Sequence, residues 1–256
     1  MTGNTHEPVR AIGKACRLLD ILTEGKRPMS LSELTEASGW AKSTVYGLLS
    51  SMRSCGLLEQ DERGLYTLGV RLFEYGSAVN STRNIIALSR EPMERLTKAA
   101  NESASLSMLD RGEALVLSHA EADSGFHIVS ETGAHLPAFC TAQGKVLLSA
   151  LSDTAVRRVH ETQYQPFTPH VIATPDALVS EIQTVRERGF AIENGEFRIG
   201  VRGVAAPIKD HTGTVRYAIG LIGMFRRVDS DEFQAATAEV LKTAAAISKA
   251  LGYRER

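Results

Sequence analysis

The segment between residues 41 and 54 constrains this chain more than any other feature. Its apolar side chains repeat three and four residues apart, a spacing that places them along one face of an α-helix. Lys42, Tyr46 and Arg53 share the opposite face with several hydroxyl side chains. No Asp or Glu occurs from residue 40 to residue 58. The segment therefore predicts an amphipathic helix that packs on one side and offers the other to a negatively charged partner.

The neighbouring elements indicate the kind of domain in which this helix occurs. Residues 9–23 and 31–37 predict two earlier helices, with Ser30 placed to cap the second and Gly39 to end it. Two short strands within residues 57–68 surround a turn that contains glycine. The side chains expected to form the buried stripe of the first helix are Ile12, Ala15, Cys16, Leu19 and Leu22. The order helix, helix, turn, helix, hairpin predicts a winged helix-turn-helix domain.

In such a domain the third helix enters the major groove of DNA, with its N-terminal residues near the base edges. The tip of the hairpin reaches a phosphate or the minor groove. The residues predicted to contact DNA are Lys42, Ser43, Thr44, Tyr46, Arg53 and Arg63. The competing interpretation is a helix whose polar face is only solvated, and the flanking helix, turn and hairpin argue against it.

Bulk properties limit the remaining choices. The chain has 256 residues, which is enough for two ordinary domains. Its formal net charge of -1 confines any basic footprint to a short element, because phosphate binding depends on Lys and Arg. The sequence shows neither a long uncharged apolar run nor a leader pattern, so we expect a cytoplasmic protein without membrane contact. Cys16, Cys55 and Cys140 are widely spaced and odd in number, which indicates reduced thiols.

From residue 103 onward the pattern changes to strands interleaved with helices, which predicts an α+β fold. The expected strands are 104–109, 114–119, 126–131, 203–209 and 215–224, and the expected helices are 142–150, 152–160, 175–189 and 229–251. Pro92 is expected to begin the first helix of this second domain. We therefore expect a winged helix-turn-helix domain over residues 1–69, a linker helix over 70–89 and an effector-binding domain over 90–256.

Several stretches of the sequence resemble the IclR family of transcription regulators. They cover residues 15–22, 31–39, 42–45, 65–69, 136–145 (LPAFCTAQGK), 189–193 and 200–207 (GVRGVAAP), so the resemblance extends over nearly the whole chain. It implies a GAF-like α/β effector-binding domain, a homodimer or homotetramer, and binding to a palindromic DNA operator. A repressor of a catabolic operon, without cofactor, metal or enzymatic activity, is the expected function.

The resemblance also implies an effector pocket. In the family, the pocket is lined by the segment that contains residues 140–145 and by the strand after residues 189–193. Carried over by position, the implied ligand-binding residues are Leu136, Ala142, Gln143, Glu193, Val201 and Gly203. Small residues at Ala142, Gly144 and Gly203, and the expected helix start at Ala142, indicate a small organic acid as ligand.

At three positions the chain differs from the residues usual in the family. Gly203 stands where relatives often carry cysteine, which favours an aromatic or acyl acid over a two-carbon acid. Gly47 replaces a basic residue of the family and softens the third helix. Trp40 replaces an aliphatic residue, and either packs beneath that helix or stacks near the DNA backbone.

Three alternatives stay open at this point. The C-terminal domain, with its long Ala-rich final helix, would serve only to oligomerise or to bind a partner protein. An enzyme would use Cys140 as nucleophile beside His119, His127 or His135, although the hydrolase, P-loop and zinc-protease motifs are absent from the sequence. A metal sensor would use His127, His135 and Cys140, whose spacing matches no tight ligand pattern.

Overall fold

The computed structural model describes residues 10–77, 80–122 and 131–254. The chain divides into two compact units, residues 1–80 and 81–256. In the described part of the chain, no helix is both long enough and apolar enough to cross a membrane. The strand expected over residues 126–131 lies outside the described residues, apart from Glu131.

The first unit is a winged helix-turn-helix fold. Its elements are α1 (Arg10–Gly25), α2 (Leu31–Ser38), α3 (Lys42–Ser54), β1 (Leu58–Gln60), β2 (Tyr66–Leu68) and α4 (Arg71–Ser77). The start of α2 is fixed as the sequence predicts, because the Glu33 carboxylate accepts the Ser30 N–H at 2.8 Å and the Ser30 hydroxyl accepts the Glu33 N–H at 3.3 Å. Gly39, at φ 68°, ends the helix in the left-handed conformation.

The buried face of α1 differs from the predicted stripe. Leu18, Ile21 and Leu22 enter the core of the first unit, whereas Ile12 is 64% exposed and Cys16 is exposed. At about 100° of rotation per residue, the apolar side chains of α1 cover more than half of its circumference. The predicted Ala15 and Leu19 are partly buried against this core. The predicted stripe is therefore confirmed for three of its five side chains and is wrong for Ile12 and Cys16, because the core covers only part of a wide apolar surface.

The described residues of the second unit form a six-stranded antiparallel sheet between two helical layers. Its strands are β3 (Ser103–Asp110), β4 (Glu113–Ala120), β5 (His135–Pro137), β6 (Ala191–Asn194), β7 (Arg202–Lys209) and β8 (Val215–Gly223). They lie in the order β5-β4-β3-β8-β7-β6. The edge strands β5 and β6 were not predicted, because three or four residues are too few to show an alternating pattern.

Helices cover both faces of this sheet. They are α5 (Asn80–Ala100), α6 (Ala142–Leu148), α7 (Asp153–Gln163), α8 (Pro175–Arg188) and α9 (Asp231–Ala250). On one face, α5 and α9 bury apolar side chains against β3, β7 and β8. On the other face, α6 packs against the sheet, and α7 and α8 form a further cluster with residues 138–140. This second layer carries the segment that the family resemblance assigns to the effector pocket.

The linker helix expected over residues 70–89 and the helix start expected at Pro92 are both wrong: α4 ends at Ser77, and α5 runs from Asn80 to Ala100. Pro92 lies inside α5, where it removes one backbone hydrogen-bond donor. Ile85, Met93 and Leu96, on either side of it, are all essentially buried in the same core. Burial of this apolar stripe keeps the helix continuous, and it outweighs the local preference of proline for a helix start.

Candidate functional site

Helix α3 has the two faces that its sequence predicts. Val45 and Leu49 are fully buried and Met52 is 3% exposed, so these side chains anchor the helix in the core. The residues predicted to contact DNA lie on the opposite side, where Lys42, Ser43, Tyr46 and Arg53 are exposed and Thr44 is half-buried. The fold therefore presents this polar face to solvent and leaves it available to a ligand.

The hairpin after α3 is held in a fixed shape. The Asp61 carboxylate accepts hydrogen bonds from the backbone N–H groups of Arg63 at 2.9 Å and Leu65 at 2.8 Å, which closes the turn. The Gln60 side chain donates to the Gly64 carbonyl and accepts from the Arg53 guanidinium. Arg63 is exposed at the tip, while Arg53 is tied to the hairpin rather than free on the helix.

Trp40 packs against the core of the first unit, and the Lys14 ammonium lies 5.1 Å from its ring centroid. The packing interpretation of this residue therefore holds. Gly47 is exposed, and a Cβ atom built there would meet nothing within 4 Å. Its effect is confined to the conformational freedom of α3.

A cavity of about 240 Å³ lies in the second unit beside α6 and the first half of β7. All six residues that the family resemblance assigns to the effector pocket line it: Leu136, Ala142, Gln143, Glu193, Val201 and Gly203. Eight others complete the lining: Ser105, Glu131, Ala134, Thr141, Phe197, Arg198, Leu221 and Ile222. The pocket lining therefore includes a basic residue that was not predicted.

Several polar groups of the lining are already committed to the protein. The Gln143 amide donates to the Ser105 carbonyl at 2.6 Å and shares a second contact with the Ser105 hydroxyl. The Thr141 hydroxyl donates to the Pro137 carbonyl at 2.7 Å and accepts the Gly144 N–H at 3.3 Å. These bonds fix the shape of the cavity wall. Hydrogen bonds to a ligand would therefore come from other groups of the lining.

The two glycines predicted to give a ligand access to the backbone have different roles. A Cβ atom at Gly203 would lie 3.0 Å from the Leu221 carbonyl oxygen and 3.8 Å from both the Ala142 Cβ and a carboxylate oxygen of Glu193. Glycine here avoids a tight backbone contact and also leaves space in the cavity. A Cβ atom at Gly144 would lie 2.2 Å from the Cα of Ala138. Gly144 therefore allows close packing of α6 against residue 138 and does not line the cavity.

Glu193 is the acidic group of the cavity. It is 2% exposed, and one of its carboxylate oxygens accepts the Phe197 N–H at 3.3 Å. Burial raises the pKa of Glu193 to about 7, and the nearby Glu196 adds to this effect. Lys145 and Arg198 oppose it. At neutral pH the carboxyl group is thus close to half-protonated, and it is able to donate or to accept a hydrogen bond.

An ion-pair network with a buried Lys145–Glu196 pair adjoins the cavity residues Phe197 and Arg198 in the chain. The Lys145 ammonium is 2.6 Å from a Glu196 carboxylate oxygen and 3.7 Å from Glu181, which in turn contacts the Arg188 guanidinium at 3.0 Å. Burial raises the pKa of Glu196, and Lys145 opposes this shift. Because Glu196 and Glu193 belong to the same chain segment, the network holds the loop that carries Phe197 and Arg198.

The geometry argues against Cys140 as the nucleophile of an enzyme. Cys140 is buried, and its pKa is raised by burial and by the carboxylates of Glu193 and Glu196, so the thiol is protonated and a poor nucleophile at neutral pH. His135 contacts Asp110 at 3.1 Å, and His127 lies outside the described residues. Among the residues that the structure describes, no group of three or more His, Cys, Asp or Glu is arranged to hold a metal ion.

The pKa of Glu193 predicts a pH-dependent stability. The folded state binds a proton with a pKa of about 7 against 4.5 for the free carboxyl, so this stabilisation is present at low pH and is lost as pH rises to 7. Relative to Glu193→Gln, the wild-type chain should lose about 2–3 kcal/mol of unfolding free energy between pH 5 and pH 8. Urea titrations of both proteins at several pH values measure this difference; a constant difference would contradict the burial of the carboxyl.

Sequence reasoning missed Phe197 and Arg198. Both lie in a loop between Gly195 and Gly200, which adopt φ values of 72° and 82°. The Arg198 guanidinium lies 5.3 Å from the centroid of the Phe197 ring. The sequence signal for this loop was the pair Gly195 and Gly200, because glycines are common where a tight loop needs left-handed backbone conformations.

Two family models match the sequence and together span both units. The IclR helix-turn-helix domain matches residues 11–62, and the bacterial transcriptional regulator IclR C-terminal domain matches residues 77–249. The HTH-type transcriptional regulator XynR of Escherichia coli (strain K12) is 30% identical over 247 residues, which cover 96% of this chain and 98% of that protein.

Solved structures agree in fold. A crystal structure of a candidate IclR transcriptional regulator from Silicibacter has a TM-score of 0.83 at 26% identity, covering 96% of this chain and 98% of that one. An IclR homologue from Microbacterium hydrocarbonoxydans, complexed with 4-hydroxybenzoate, has a TM-score of 0.84 at 19% identity and covers 94% and 98%. The chain belongs to the IclR family, and it is a DNA-binding transcriptional regulator rather than an enzyme.

Proposed function

We propose that this protein is a ligand-responsive repressor that binds a palindromic operator through α3. A small organic acid that enters the cavity of the second unit lowers or raises the affinity of the protein for this operator. The observation that carries the proposal is a cavity lined by both the buried carboxyl group of Glu193 and the exposed Arg198. Because its target is DNA, we expect it to act in the cytoplasm.

The DNA interface is expected to use the exposed face of α3. Lys42, Ser43, Thr44 and Tyr46 lie on its first turns, and the first turn carries no acidic residue and no side-chain cap. The free N–H groups there favour a phosphate. Tyr46, which is 57% exposed although aromatic, is suited to base contact. Arg53 and Arg63 would contact the backbone beside the hairpin.

Substitutions on α3 test this interface. Lys42→Ala should weaken binding to every duplex and reduce the salt slope by about 1, because one phosphate contact is lost. Tyr46→Ala should change affinity for the operator more than for a scrambled duplex. Fluorescence anisotropy at several salt concentrations measures both effects.

The matched control is Lys98→Ala, which removes the same charge from an exposed position on α5. It should leave operator affinity and the salt slope unchanged. Unchanged binding by both α3 variants would exclude α3 as the DNA-contacting element.

The chemistry of the cavity indicates the class of ligand. Ser105, Gln143 and Thr141 are bonded to the protein, and Glu131 has a partner of its own. Among the described residues, the Arg198 guanidinium and the second carboxylate oxygen of Glu193 make no hydrogen bond. Arg198 suits a ligand carboxylate, while Glu193 suits a hydroxyl or amine, since a second carboxylate beside it would be repelled. We infer a hydroxylated acid, aromatic or acyl, for which Gly203 leaves room.

Arg198→Gln tests this assignment. Loss of the charge-assisted contact should weaken binding of an acid ligand at least about tenfold. We would use 4-hydroxybenzoate as the first probe, because a protein of the same fold was solved with it, and then benzoate and phenol, in titration calorimetry. The matched control is Arg226→Gln, an exposed arginine that does not line the cavity. Equal affinity of both variants would remove Arg198 from the site.

Coupling between the two functions is proposed to run through residues 70–89, which contain α4 and the start of α5. We also propose a homodimer or homotetramer, since a palindromic operator presents two equivalent half-sites. The second candidate function is a regulator whose C-terminal unit only oligomerises or binds a partner protein. No specific feature of the cavity favours that candidate, and a ligand-induced rise in thermal stability would exclude it.

A further inference from the structure

The second unit has another concave surface, on the opposite side of the sheet from α6. Strand β6 pairs with β7 only along Arg202–Ala205, so the second half of β7 has no partner strand on that side within the described residues. Helix α9 and the C-terminal residues that follow it pass beside this half-strand. Together they enclose a groove of about 690 Å³, which shares no lining residue with the effector cavity.

The exposed edge of β7 is unsuited to binding another strand. Pro207 has no N–H to donate, and the Lys209 N–H donates to the Ser248 hydroxyl at 3.0 Å. The Ser248 hydroxyl in turn donates to the Ala244 carbonyl at 2.7 Å. Neither Pro207 nor Lys209 therefore offers a free backbone N–H to a ligand, so a ligand at this edge would contact the side chains of the groove.

Those side chains form an apolar floor with a basic end. The floor consists of small or apolar side chains: Ala206, Pro207, Leu241, Ala244 and Ala245. Lys209 is half-buried, with its ammonium 5.2 Å from the centroid of the Tyr253 ring, and Lys249 and Arg254 are exposed beside it. No carboxylate lines the groove, and none of the ion pairs found in the described part of the chain involves these three cations.

An apolar floor of this kind next to unpaired cations is complementary to an amphiphilic anion. The tail would cover the floor and release water from it, and the head would lie against Lys209. The volume lies in the range of small-molecule sites rather than of extended interfaces. We propose that this groove is a second ligand site of the protein, which binds acyl carboxylates independently of the effector cavity.

We would test the proposal with decanoate as the ligand. The protein is the full chain carrying Arg198→Gln, because this substitution suppresses acid binding in the effector cavity. Titration calorimetry should show saturable binding of decanoate, at least about tenfold weaker binding of decanol, and none of decyltrimethylammonium. Lys209→Gln should weaken decanoate binding about tenfold, and Ala245→Phe should block it by filling the floor.

The control is Lys242→Gln on an exposed part of α9 outside the groove, which should bind decanoate like the parent. Ala245 is exposed, so the larger side chain there should not impair folding, and circular dichroism checks this. Equal binding of decanoate and decanol, or decanoate binding unaffected by Lys209→Gln and Ala245→Phe, would overturn the proposal. Dissociation of a protein oligomer by Ala245→Phe without ligand would also overturn it, since the groove would then be a subunit interface.

Discussion

Replacement of Lys145 by alanine is expected to lower the free energy of unfolding of the second unit by about 3–5 kcal/mol, because it leaves the buried Glu196 carboxylate without its cation. Lys145 is 2% exposed, and its ammonium lies 2.6 Å from Glu196 and 3.7 Å from Glu181. The loss should be larger at pH 8 than at pH 5, where protonation relieves the unpaired carboxylate. Urea unfolding followed by circular dichroism measures it.

A matched lysine separates burial from charge. Lys242→Ala removes an exposed lysine that pairs with Glu239 at 3.3 Å, and it should cost less than about 0.5 kcal/mol. Fluorescence of Trp40, the one tryptophan of the chain, follows the first unit alone. If Lys145→Ala lowered the free energy of unfolding no more than Lys242→Ala does, the Lys145–Glu196 ion pair would have to be open to water.

Two glycine substitutions should act in opposite directions. In Gly144→Ala, the new methyl group would lie within 3 Å of three backbone atoms of Ala138, and no rotamer relieves this overlap. We expect a loss of at least about 3 kcal/mol and disruption of the cavity wall. Gly47→Ala places the same methyl group on α3 with nothing within 4 Å, and it should stabilise the first unit by about 1 kcal/mol.

Thermal unfolding distinguishes these outcomes, with Trp40 fluorescence reporting the first unit and circular dichroism reporting the whole chain. Gly47→Ala should raise the Trp40 transition, while Gly144→Ala lowers the dichroism transition. If Gly144→Ala were tolerated, α6 would have to shift away from residue 138, and the cavity described above would not have its present shape.

The sequence predicted the first unit well because local signals agreed there. Ser30, Glu33 and Gly39 set the limits of α2, and the buried and exposed faces of α3 follow its periodicity. In α1, the predicted burial of Ile12 and Cys16 was wrong because the apolar surface of the helix is wider than the core that covers it. Pro92 was wrong because tertiary burial of Met93 and Leu96 outweighs a local preference.

The cavity could be predicted only in part. Its six family-derived residues lie together, yet the family resemblance rather than any local pattern brought them to notice. Arg198 was missed because a single arginine in an irregular loop shows no periodicity. The role of Gly144 was missed because contact with Ala138, six residues earlier, depends on how the chain folds back before α6. Burial of Glu193, and hence its pKa, likewise depends on tertiary packing.

The most direct test of the central claim is a titration of the protein onto a duplex from immediately upstream of its own gene, against a scrambled duplex at the same salt, with and without 4-hydroxybenzoate. Wild-type protein, Lys42→Ala and Arg198→Gln are compared. We expect sequence-dependent binding that the acid alters in the wild type, weaker binding by Lys42→Ala, and normal binding without acid response by Arg198→Gln. Equal, weak binding of both duplexes by all three proteins, or an acid response that Arg198→Gln retains in full, would contradict the central claim.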